Sequence, residues 1–91
     1  MDVEIVDLGW RCNVVVTADD RQVTVIGDLD TGRRLISSAA PELADLVDLA
    51  SAALHCMRAT RNKQSYANVP TNSLDEIATL VPGSQLLGTT D

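Results

Sequence analysis

The chain contains no phenylalanine, and Trp10 and Tyr66 are its only aromatic residues. Stacking platforms for nucleic-acid bases are built from several aromatic rings, so this scarcity argues against single-stranded nucleic-acid binding. Cysteine is limited to Cys12 and Cys56, and histidine to His55. Two cysteines make no disulfide framework, and a structural zinc site wants four ligands, so neither a metal nor another cofactor is expected. Basic residues are outnumbered, with seven Lys and Arg against thirteen Asp and Glu and a formal charge of −6. Nucleic acid and anionic membrane surfaces are repelled by such a charge at long range, which makes nucleic acid an unlikely ligand and a neutral or basic protein the expected partner. No apolar run approaches the ~18 residues that span a bilayer, so no membrane association is expected. The opening stretch "MDVEIVDLGW" carries acidic charges alternating with apolar residues. That is the wrong pattern for a signal peptide, and it leads to the expectation of a cytoplasmic protein.

Catalytic signatures are missing too. The chain has no Gly-rich phosphate loop and no nucleophile elbow, and a single histidine leaves most acid-base schemes without a second group. The carboxylate pairs Asp19-Asp20 and Asp45/Asp48 fall where a solvated turn and a polar helix face would put them. No catalytic residue is assigned, and the chain is expected not to be an enzyme.

The stretch "DLDTGR" invites two sharper readings. Asp28, Asp30 and Gly32 begin like a calcium loop, but Arg33 and Ala39 stand where that loop needs glycine and glutamate. Asp30-Thr31-Gly32 resembles the catalytic triplet of retroviral-type aspartic proteases. In that family the triplet ends a hydrophobic strand and is followed by a small residue, which lets two buried aspartates share a proton. Asp28 just before the triplet and Arg33 just after it fit a solvated hairpin turn better, with glycine at the positive-φ position.

The residues that are present describe one domain over 1–91, 45% apolar and 22% charged, as expected of an ordinary soluble fold. Strands are expected within 3–37, where short alternating runs are separated by turn signals. Cys12, Val14 and Val16 alternate with Asn13, Val15 and Thr17, and Trp10 extends the first row. Pro41 then suits the first turn of a helix running to about residue 59, with Glu42 and Asp45 favourable beside its positive end. A polar connection occupies 60–72. "SLDE" at 73–76 forms a capping box for a second helix over about 74–81, which Pro82-Gly83 ends. Residues 84–91 read as either an edge strand or a loose tail. The expected class is α+β: a three- or four-stranded antiparallel meander covered by one long amphipathic helix, plus a short C-terminal helix.

At about 100° per residue, Leu43, Leu46, Val47, Ala50, Ala53, Leu54 and Met57 collect on one stripe of the long helix. His55 falls on the wet face. Cys56 lies on another meridian with Leu49, Ala52 and Ala53, an apolar flank beyond what one sheet requires. Two covers suit it: the second helix folded back, or a second copy of the chain in a symmetric homodimer. From this flank, or from an exposed sheet edge, the chain reads as a small acidic non-enzymatic interaction protein of the accessory-subunit or inhibitor type. The alternative uses Arg58, Arg61 and Lys63 to hold an anion or nucleic acid, helped by Arg11, Arg33 or Arg34. Against it stands the simpler role of cations at a helix C-terminus, which complement its dipole.

Overall fold

A computed structural model describes residues 1–60 and 72–88. Its sheet has five strands in simple sequential order, β1 (Asp2–Asp7), β2 (Arg11–Ala18), β3 (Arg21–Asp28), β4 (Arg34–Ile36) and β5 (Gln85–Leu87), every neighbouring pair antiparallel. The meander is therefore one strand longer than the upper expectation. The additional strand comes from the stretch read as either edge strand or loose tail: Arg34, Leu35 and Ile36 pair with Leu87, Leu86 and Gln85.

Short connections explain the antiparallel order. A two-residue loop, Asp19-Asp20, joins β2 to β3, with Asp19 taking φ 56°. Tight hairpin loops need such a positive φ, which Asp tolerates better than most residues. Between β3 and β4, the Asp28 carboxylate accepts the backbone N–H groups of Asp30 and Thr31, at 2.8 and 3.0 Å. Gly32, at φ 81°, completes that turn. Asp30 is exposed in it, which is the arrangement of a solvated turn rather than a buried carboxylate dyad.

Pro41–Leu43 forms a single 3-10 turn that leads directly into α1, Ala44–Thr60. This helix packs across β2 and β3. Beneath it lie Cys12, Val14, Val16, Val23 and Val25, all at most 1% exposed, and from above come Leu46, Ala50 and Leu54. The alternation of β2 and the stripe of α1 thus meet face to face, and among the described residues the core contains no buried polar or charged residue. Gly27, also on this face, lets the helix approach: a Cβ there would sit 2.7 Å from Leu54 Cδ2.

A short second helix, α2 (Leu74–Leu80), starts at Ser73, whose Oγ accepts the Glu76 N–H at 3.2 Å. It packs on β4 and β5. Register puts Leu35 on the sheet face away from Ile36 and α1. Leu35 and Leu74 are both buried yet stand outside the main core. One ion pair ties this region together: the Arg33 guanidinium donates to both Asp75 oxygens, at 3.2 and 2.9 Å. That hydrogen bond holds the Asp75 carboxyl below its ordinary value and raises Arg33. No helix among the described residues is long and apolar enough to cross a membrane.

Candidate functional site

An α-helix with its side chains is roughly 10–12 Å wide and strands lie about 4.8 Å apart, so one helix covers about two strands. With α1 centred on β2 and β3, both of its flanks face strands it does not cover. The two flanks differ in chemistry.

The first flank carries Leu49, Ala52, Ala53 and Cys56. Leu49 is 38% exposed, Ala52 and Cys56 are exposed, and Ala53 packs partly against the core. Ser51, His55 and Arg58, on the opposite flank, face β3 and β4, so the apolar flank is the one turned toward β1. Met57, next to it, receives a hydrogen bond from the Cys12 thiol at 3.2 Å, and Cys12 pairs with Asp7 of β1. Val3 and Ile5 of β1 lie opposite Val16 and Val14, hence on the α1 side of the sheet. They are 45% and 46% exposed. The margin between α1 and β1, the β1 trough, thus has exposed apolar side chains on both of its sides. Strand β1 ends the sheet order, so its outer edge has no strand neighbour among the described residues. Its charged residues are Asp2, Glu4 and Asp7, with no cation.

Of the two covers anticipated for this flank, α2 does not serve. It lies against β4 and β5, at the other end of the sheet, while Leu49 and Cys56 stay exposed.

The second flank is polar. A recess of about 120 Å³ lies between α1 and the β3–β4 hairpin, and Arg33, Arg34, Ser51, His55 and Arg58 are among its walls. Register places Arg34 opposite Gly27, on the α1 side of the sheet. The space over Gly27 is taken by Leu54 of the helix. Arg58 donates from Nη2 to the Asp30 carbonyl at 3.2 Å, and a side chain at Gly32 would collide with its Nη1 at 2.6 Å. Glycine at position 32 thus serves both the turn and the guanidinium. Two atoms here are buried without a hydrogen-bond partner among the described residues: Arg34 Nε and Ser51 Oγ. Leaving such groups unsatisfied costs about 1–3 kcal/mol each. Asp28 is the carboxylate among the lining residues, and its Oδ1 is already occupied by the two turn N–H groups.

Of the basic cluster anticipated from sequence, Arg58 joins this recess, whereas Arg61 and Lys63 fall outside the described residues. Arg33 and Arg34 are drawn in with Arg58. Arg11 is not: it lies 5.6 Å over the Trp10 ring and donates to the Asn72 carbonyl at 3.4 Å. His55 is exposed, as its wheel position requires, and it belongs to the recess rather than to a pair with Cys56. No group of three or more His, Cys, Asp or Glu able to hold a metal ion occurs among the described residues. A wider recess of about 230 Å³ between Val47 and the 38–41 segment has Asp48 as its charged residue.

Compared with protein-family models, curated proteins and solved structures, the chain finds no match in any of the three.

Proposed function

We propose that the chain is a non-enzymatic interaction module whose trough between β1 and α1 receives an extended, basic segment of a partner protein. The reading rests on one observation: Val3, Ile5, Leu49 and Cys56 are exposed apolar side chains at the margin between β1 and α1, beside a strand edge with no strand neighbour among the described residues. A strand added at that edge would gain main-chain hydrogen bonds, with alternate side chains pointing into the trough. Its other side chains would face Asp2 and Glu4, which register places on the opposite side of β1 from Val3 and Ile5. Apolar residues alternating with Lys or Arg satisfy both faces. A second copy of the chain fits less well, because two β1 edges would bring carboxylates together and each copy carries −6.

The test titrates the labelled chain with two synthetic peptides, one alternating Lys with Ile and Val, the other with Glu in place of Lys. The basic peptide is expected to shift amides of residues 2–7 and 49–56, to weaken with added salt, and to lose binding in Ile5→Glu. Failure of the basic peptide to bind, in a chain that light scattering shows to be monomeric, would refute the reading. Dimerisation that Leu49→Asp abolishes would instead assign the trough to a second copy.

A further inference from the structure

We infer that the recess between α1 and the β3–β4 hairpin is a binding site for a small tetrahedral oxyanion of the phosphate class, with Arg34 and Ser51 as its inner contacts. Three observations at different levels carry this. Three arginines, Arg33, Arg34 and Arg58, are among the residues that line it, in a chain whose overall charge is negative, and the Arg33 guanidinium is paired with Asp75. Arg58 is anchored on the Asp30 carbonyl and Arg33 on Asp75, so these two side chains are held in place before any ligand arrives. Two of the lining residues carry donors shielded from solvent with no partner among the described residues, Arg34 Nε and Ser51 Oγ. An N–H and an O–H are both donors, and an oxyanion can accept from each.

The size also fits. About 120 Å³ is ample for a group of five heavy atoms, since one water needs only about 10–15 Å³ on the same measure. A chain of carbon atoms would fill it poorly, because the donors would remain unsatisfied. His55 lines the recess one helical turn beyond Ser51 and offers a further donor to the same anion. This site is independent of the β1 trough: it lies on the opposite flank of α1 and shares no residue with it.

Inorganic phosphate titrated into the labelled full chain at constant ionic strength tests the inference. Shifts are expected at Gly32, Arg34, Ser51 and His55 and at the Arg34 Nε–H. Arg34→Gln should weaken phosphate by about tenfold or more and Ser51→Ala by about threefold to tenfold, while Arg21→Gln, remote from the recess, leaves affinity unchanged. Ser51→Ala guards against loss of fold as an explanation: it removes an unsatisfied buried hydroxyl, so the anion-free variant should melt no lower than the parent yet lose part of the stabilisation that phosphate confers. Phenyl phosphate beside inorganic phosphate separates the sources. Tighter binding of the ester assigns the site to a phosphomonoester, and equal binding assigns it to the free ion. Shifts spread evenly over Arg11, Arg21 and Arg34, or parental affinity in both Arg34→Gln and Ser51→Ala, would overturn the inference.

Discussion

The two flanks of α1 begin from the same backbone and end in different chemistry. Toward β1, Leu49 and Cys56 of the helix and Val3 and Ile5 of the strand are apolar side chains left exposed. Toward β4, Ser51, His55 and Arg58 line a recess with Gly27 and Arg34, and the space is polar and partly enclosed. The difference lies in what each neighbouring strand presents. Strand β1 offers branched aliphatic side chains that are nearly half exposed, whereas the β3–β4 hairpin offers a glycine and arginines beside the helix. One amphipathic helix laid on a five-stranded sheet leaves two uncovered margins, and the side chains at each margin decide what it can bind.

Substitutions at the centre and on either side of α1 bear on this contrast. The largest effect is expected at Leu46, which is fully buried between the flanks: Leu46→Ala should cost about 2–5 kcal/mol in urea unfolding. Leu49→Ala, three residues on but at the open margin, should change stability by no more than about 0.5 kcal/mol. Equal losses at the two positions would mean that the apolar flank is covered in the isolated chain. Next comes Gly27→Ala, whose new Cβ would press on Leu54. Overpacking of this kind costs about 1–3 kcal/mol, and the lower end is expected because Leu54 meets the intruder with the methyl ends of its side chain. The displaced Leu54 also borders the polar recess, so the same variant should weaken phosphate binding while leaving the β1 trough intact.

The smallest effect concerns Asp75 beyond the polar flank. Its carboxyl is held below the ordinary value of 3.8 by the hydrogen bond from Arg33. The ionised pair therefore contributes fully above that value, and its contribution fades as pH falls through the depressed one. Because the pair is solvent-exposed, Asp75→Asn should leave the neutral-pH midpoint nearly unchanged. It should narrow the gap between midpoints measured at pH 7 and pH 3, and an unchanged gap would show that the ion pair does not support the hairpin in solution.

Much of the covered half of the molecule was legible from residue order. The row Cys12, Val14, Val16 is fully buried, and so are Leu46 and Ala50 of the helix stripe. Ser73 caps α2 where the "SLDE" pattern put it. Trp10 departs from its expected place in the row. Gly9, at φ 98°, turns the chain just before it, so Trp10 precedes β2 rather than opening it. Leu29 was missed as a core residue: it is 5% exposed although it sits in a turn between two aspartates, where no periodicity announces burial. Its N–H bonds the Trp10 carbonyl at 2.7 Å, a contact across the ends of two hairpins. Strand β5 is only three residues long, too short for alternation to declare itself.

The flanks divide in the same way. That Leu49 and Cys56 share a meridian apart from the main stripe follows from 3.6 residues per turn and needs nothing beyond the sequence. Which strand lies beneath that meridian does not, because the helix could have settled over any pair of strands. Likewise, Arg34 and Ser51 are 17 positions apart, and no local pattern connects them. Backbone periodicity is a property of neighbours along the chain, so the sequence alone determined the alternating strands, the amphipathic helix and its capped companion. Helix placement, the pairing of β5 with β4, the open trough and the arginine-lined recess were decided by packing between distant segments. There the width of one helix against the width of five strands sets what is left exposed.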